Sequence, residues 1–183
     1  EYELTGKSAV EKNFLENFIF SKAFNGVDEG MLPMCYPADF AKSYIPQWAM
    51  WYVLELEEYL ERTKDRQLIK DAMGRIRDLL SFFERYENED GLLEKLPSWN
   101  FVEWSKANEF VQDVNYPTNM LYARVLRAVA KLYDGEYVRD CEYMPKAAEC
   151  LEKAEHIVKI VREQSYFDGF FHDHALRQED GTL

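Results

Sequence analysis

The sequence predicts an all-α fold, laid out as an arc of helical hairpins from a double-layered toroid. Two observations carry this. Five helical segments alternate between amphipathic and almost wholly apolar character. Apolar helices belong to an inner layer and amphipathic ones to an outer layer. The connections alternate as well, long into the apolar helices and short out of them.

Helix one opens at Ser8, with Glu11 three residues later in the spacing of a capping box. Val10, Phe14, Leu15 and Phe18 form its apolar stripe. Ahead of it, Tyr2, Leu4 and Gly6 read as a last helical turn closed by glycine. Helix two starts near Pro46, because proline loses nothing at the first helical position, and runs to about Arg62. Its first half, WAMWYVLEL, is apolar almost all round, so it should be buried on most sides.

Helix three is capped by Asp65 and carries Leu68, Ile69, Met73, Ile76, Leu79, Leu80 and Phe83 at a helical period. Helix four starts at Pro117 and reads MLYARVLRAVAKLY, again apolar. Helix five starts at Pro145, with Ala147, Leu151, Ala154, Val158 and Val161 on one face. From Gln164 onward the chain reads as a loop with a short extended piece.

The long connections span residues 23–45 and 87–116, and the short ones residues 63–64 and 134–144. Both long loops therefore gather at one end, above the N-termini of the inner helices. Free N–H groups face polar ligands there, and loops on a rigid scaffold build pockets. No repeat of fixed period is visible, which argues against a solenoid. An ordinary helical bundle is the other architecture this pattern allows.

The length of 183 residues suits one domain, and the net charge of −12 argues against binding a nucleic-acid backbone. No apolar run is long enough to span a bilayer. Cys35, Cys141 and Cys150 are odd in number and form no CxxC pair, so they suggest neither a disulfide framework nor a zinc site. They leave the compartment open. Cys150 reads as a small core residue. Both ends look cut, so residues 1–183 read as a single partial domain of a longer protein.

The chemistry concentrates in residues 101–122, FVEWSKANEFVQDVNYPTNMLY, which mix aromatics, carboxylates and amides without a period before Pro117. Long loops of this kind are functional or disordered, and this one is too aromatic for a solvated linker. Trp48, in the first turn of an inner helix, and Trp104, in the long loop, fit the walls of a sugar pocket. A flat apolar indole matches the C–H face of a pyranose ring. A lone tryptophan is otherwise a core residue, and Trp51, a turn deeper, is expected to be one.

Glycoside hydrolysis needs two carboxylates. The candidates are Asp39, Glu103, Asp113, Asp168 and Asp173. Glu103 stands beside Trp104, and an apolar neighbour raises a carboxyl pKa. Asp113 is as readily a helix cap. His172 and His174 flank Asp173, a spacing that can chelate metal on a strand, but no third ligand is evident and no metal is read. No GxSxG, glycine-rich phosphate loop or HExxH occurs.

Four segments bear a resemblance to one family. They are GMLPMCYPADF (residues 30–40), IPQWAMWYVLELEEYL (45–60), NEDGLLEKLPSWNFVEWSKANEFVQDVNYPTNMLY (88–122) and SYFDGFFHDHALR (165–177). Together they resemble the catalytic domain of bacterial α-L-rhamnosidases, glycoside hydrolase family 78. The resemblance implies about half of an (α/α)6 toroid of the six-hairpin type and inverting hydrolysis of terminal α-L-rhamnose. It implies a carbohydrate partner and no cofactor. The family's general acid would precede Glu1 and its base would follow Leu183, so neither catalytic carboxylate is assigned here. Trp48 and Trp104 match the family's pocket tryptophans, with Asp39 or Glu103 expected nearby to accept sugar hydroxyls. Half a toroid would leave inner-helix surface open, so self-association is expected. The alternatives are another toroid glycosidase, an unsaturated glycuronyl hydrolase, or a non-catalytic helical interaction module.

Overall fold

The computed structural model describes residues 2–21, 27–36, 43–111, 113–133 and 146–183. Six helices appear in it: α1 (Tyr2–Thr5), α2 (Ala9–Phe20), α3 (Pro46–Thr63), α4 (Arg66–Glu84), α5 (Tyr116–Tyr133) and α6 (Lys146–Ser165). A short 3-10 turn spans Lys106–Phe110. Four two-residue strands complete the set: β1 (Val114–Asn115), β2 (Tyr166–Phe167), β3 (Phe170–Phe171) and β4 (His174–Ala175). No helix among the described residues is long and apolar enough to cross a membrane.

The layers follow the predicted alternation. Helices α3 and α5 pack on each other, α6 packs on α5, and α2 and α4 pack on α3 and on one another. The inner pair buries Met50, Val53, Leu56 and Leu60 on α3 against Tyr122, Val125, Leu126 and Val129 on α5 within one continuous core. Helix α4 contributes one face, including Ile69, Ile76, Leu79 and Phe83, and α6 contributes Cys150, Ala154, Ile157 and Val161. The fold is therefore part of an α/α toroid, as the sequence indicates.

Local chemistry accounts for the helix ends. Ile45 is extended before Pro46, as steric conflict with the proline ring requires. Lys64 closes α3 in the left-handed conformation at φ 60, and its N–H donates to Leu60 O at 2.9 Å. Asp65 then caps α4, accepting from the Leu68 N–H at 3.2 Å. At α1, the Gly6 N–H returns to Tyr2 O at 2.8 Å with φ +65 at the glycine.

Three expectations are corrected. Ser8 makes no side-chain cap to α2, and Glu11 pairs with Arg62 of α3 instead of completing a capping box. The buried face of α2 is Leu15, Phe18 and Ile19, whereas Val10 and Phe14 are exposed. On the same helix Glu11 pairs with Arg62 and Lys12 with Asp65, the latter at 2.7 Å. Asn115, not Asp113, caps α5: its Oδ1 accepts the Thr118 N–H at 2.9 Å. The predicted start of helix five at Pro145 and the link over residues 134–144 lie outside the described residues.

The two long connections meet above the inner helices. The Tyr44 N–H donates to Ser98 Oγ at 3.0 Å, and the Trp99 N–H donates to Tyr44 O at 3.2 Å. Gly30 seats residues 27–36 against α4. Its φ is +89, and a Cβ there would collide with Asp78 O. Deeper in, Asn119 is fully buried and serves Leu93 as a strand partner would. Its Oδ1 accepts the Leu93 N–H at 2.7 Å and its Nδ2 donates to Leu93 O at 3.0 Å. The chain after α6 turns back at Asp168-Gly169 (φ 53 and 83) to pair β2 with β3, the geometry of a type I′ hairpin. Then β4 pairs antiparallel with β1, His174 opposite Asn115.

This packing can be tested at two points. Asn119→Ala would strand both backbone groups of Leu93, at a cost of about 2–4 kcal/mol. Urea unfolding is the measurement, and a loss below half of that would show the bonds to be replaceable. The second point concerns pH. Hydrogen bonding to the Arg177 guanidinium, outweighing burial, holds the Glu94 carboxyl below its ordinary value. A depressed folded-state pKa gives stability that is present above the unfolded value and is lost as pH falls through the folded one. Glu94→Gln should therefore be less stable than the parent at pH 7, with the gap closing on acidification. A gap independent of pH would contradict this.

Candidate functional site

The N-terminal ends of α3 and α5 define the loop end of the molecule. Trp48 is the third residue of α3, and its exposed stripe continues through Trp51 to Glu55 at helical spacing. With α2 and residues 32–36 this stripe walls a cleft of about 420 Å³. Phe14 and Tyr36 supply further rings, and Glu55 lines the cleft as well. Burial raises the Glu55 pKa, and the neighbouring charges of Glu11 and Glu58 raise it further against the opposing pull of Arg62. Aromatic walls and a carboxyl in one cleft suit a ring with a C–H face and hydroxyl edges.

Of the predicted site residues, Trp48 is the one that lines this cleft, at 46% exposure. Trp104 is 86% exposed and is not part of the wall. It packs edge-on against Phe101 with centroids 4.8 Å apart, and Phe101 in turn meets Trp99 at 6.1 Å. These rings form an aromatic ridge along the long loop. Glu103 is exposed beside it, and its carboxylate accepts from the Ser105 hydroxyl. Asp39 lies outside the described residues. The cleft thus joins Trp48 to residues that the sequence pattern does not mark, and it leaves Trp104 and Glu103 on the ridge.

Trp51, whose depth in the helix predicts a core position, is instead 59% exposed. An almost wholly apolar helix carries no signal for which side stays open, so periodicity alone cannot place it. The signal that could have found the cleft is the spacing Trp48, Trp51, Glu55, one face of one helix. Asp113 has a structural role. Its Oδ2 accepts the Arg177 N–H at 2.7 Å and its backbone carbonyl accepts from Lys95 at 3.2 Å. Asp173 bonds His174 Nδ1 at 2.7 Å, and Asp168 occupies the hairpin turn.

The same fold occurs in a solved enzyme. A GH78 family rhamnosidase of Bacillus sp. GL1 superposes with a TM-score of 0.79 at 16% identity, over 96% of this chain and 17% of that one. At that identity the match speaks for the fold. The chain spans well under a quarter of the length of that rhamnosidase. No curated protein sequence matches the chain. The family profile described as the bacterial alpha-L-rhamnosidase 6 hairpin glycosidase domain matches residues 4–183. The chain belongs to the bacterial α-L-rhamnosidase six-hairpin glycosidase family.

Proposed function

We propose that this chain supplies sugar-contacting wall to an inverting glycoside hydrolase that releases terminal α-L-rhamnose. The observation that carries the reading is the family match over residues 4–183, joined to an aromatic cleft at the loop end with Trp48 in its wall. In this reading Trp48 and Trp51 stack on the sugar, and Glu55 accepts or donates hydroxyl hydrogen bonds. Trp104 and Glu103 contact the glycoside from the long loop.

Inverting hydrolysis needs a carboxylic acid on the leaving oxygen and a carboxylate activating water on the opposite face. In this reading the chain binds and orients the sugar, and Trp48, Trp51 and Glu55 are given neither role. Losing such groups removes roughly 10²–10⁴-fold each.

One experiment tests both halves of the proposal. The isolated chain should give no turnover of p-nitrophenyl α-L-rhamnoside, yet its tryptophan fluorescence should respond to L-rhamnose. Trp48→Ala should weaken that response by about tenfold, the value of one stacked aromatic contact. Turnover abolished by Glu103→Gln would make Glu103 catalytic and overturn the division of roles. A fluorescence response to other neutral sugars and none to rhamnose would favour a different toroid glycosidase. Silence toward every sugar would favour the helical interaction module.

Self-association also belongs to this reading. Phe14, Phe20, Trp51 and the rings of the β2–β3 hairpin are exposed, and apolar surface of this kind marks contact sites. Sedimentation velocity should show concentration-dependent dimers or larger species. A monomer across the accessible range would remove this part of the proposal.

A further inference from the structure

A second hollow, of about 600 Å³, opens at the same end of the molecule, beyond α5. Tyr116, the first residue of α5, and Gln164, near the end of α6, meet there through their side chains at 3.4 Å. Gln164 Nε2 donates onward to Asp90 Oδ2 at 2.9 Å. On the facing wall, the rings of Phe167 and His172 stack at 4.2 Å and 17°. His174 on β4 lines it as well, with Nδ1 held by Asp173. Both histidines therefore reach one cavity, His174 from β4 and His172 from the link between β3 and β4.

The chemistry of the wall narrows the ligand. Among the lining residues the arginine, Arg177, is already engaged. Its Nε bonds Glu94 Oε1 at 3.0 Å and its Nη1 bonds Gly181 O at 2.7 Å. Glu89 and Asp90 add negative charge, so an anion is disfavoured. Among the described residues no group of three His, Cys, Asp or Glu could hold a metal ion. The amide, carboxylates, phenol and imidazoles make the wall too polar for a purely apolar ligand. A neutral polyhydroxylated ring fits this wall. Its hydroxyls meet these polar groups, and its C–H face meets the exposed ring of Phe167.

We infer that this hollow is a second carbohydrate subsite, separate from the Trp48 cleft, taking one neutral sugar ring of a longer glycan. The inference rests on the carbohydrate reading given above. It adds a second place at which the chain grips the glycan and so a preference for substrates longer than a simple rhamnoside.

Imidazole resonances give a direct test, because the chain holds three histidines. His172 and His174 line the hollow, while His156 lines a different groove. Titration with L-rhamnose and, separately, with methyl β-D-glucopyranoside should move the His172 and His174 signals more than that of His156, which touches the hollow only through the backbone of Asp90. Phe167 is exposed, so Phe167→Ala should keep the fold by circular dichroism and weaken the His174 response about tenfold. Trp48→Ala should leave the histidine shifts unchanged. Histidine signals unmoved by either sugar up to about 100 mM, the limit of weak sites, would overturn the inference. If tryptophan fluorescence responds under those conditions, the first cleft survives and the second subsite alone fails. Loss of both responses in Trp48→Ala would mean one site, and would also overturn it, as would an unchanged affinity in Phe167→Ala.

Discussion

The arrangement of the loop end depends on one buried side-chain amide. Gln47, in the first turn of α3, spends both ends of its amide on three other residues. Its Nε2 donates to Asn100 Oδ1 at 3.0 Å and to Thr118 Oγ1 at 3.2 Å, and its Oε1 accepts the Phe101 N–H at 3.1 Å. Thr118 passes the chain of bonds to Asn115, at 2.7 Å, which also caps α5. Asn100 Nδ2 closes on Leu96 O at 2.6 Å. A buried amide left unpaired costs on the order of 1–3 kcal/mol. The network therefore tolerates one register of α3 against α5 and one path for the loop between them. Two largely apolar inner helices could otherwise slide with little penalty, since their contacts are non-directional. The position of Trp48, one residue on from Gln47, is inherited from this lock.

The opposite half of the inner pair is held by charge. Glu57 of α3 is buried and receives Arg124 of α5 at 2.5 Å and Lys131 at 3.3 Å, while Lys131 also pairs with Glu61. Glu57 is buried while both cations are half-exposed, so losing the cations would leave a buried carboxylate unpaired, which favours this alignment. Neutral amides thus fasten the N-terminal ends of α3 and α5, and charge fastens their middle.

Much of this fold is legible in the sequence, because helix signals are local. Pro46, Asp65 and the charge-backed period from Leu68 to Phe83 set two helices within a residue or two. The long and short connections give away the layering. What cannot be read depends on partners far along the chain. Glu11 looks like half of a capping box until Arg62, in another helix, is known to reach it. Asp113 reads as a helix cap, but the cap is Asn115, because Asp113 is taken by the backbone of Arg177. The site is legible in kind and not in membership. Trp48 and the aromatic loop are evident from composition, but the open side of α3, which exposes Trp51 and Glu55, is a property of what packs around the helix. The histidine pair lacks a third metal ligand and so carries no signal in sequence, although the pairing of β4 with β1 and the link before it bring both rings to a cavity.

The pairing of β4 with β1 has a consequence in time as well as in space. Residues 174–175 close on residues 114–115, and Arg177 crosses to Asp113 and Glu94. On a ribosome, α3, α4 and α5 emerge and dock well before those residues exist outside the tunnel. The helical layers are therefore the early cooperative unit. The loop end can be sealed only after residue 177 has been delivered. Contacts of such long sequence separation close late. The loop end is thus the last part of the molecule to be completed, above helices that pack first.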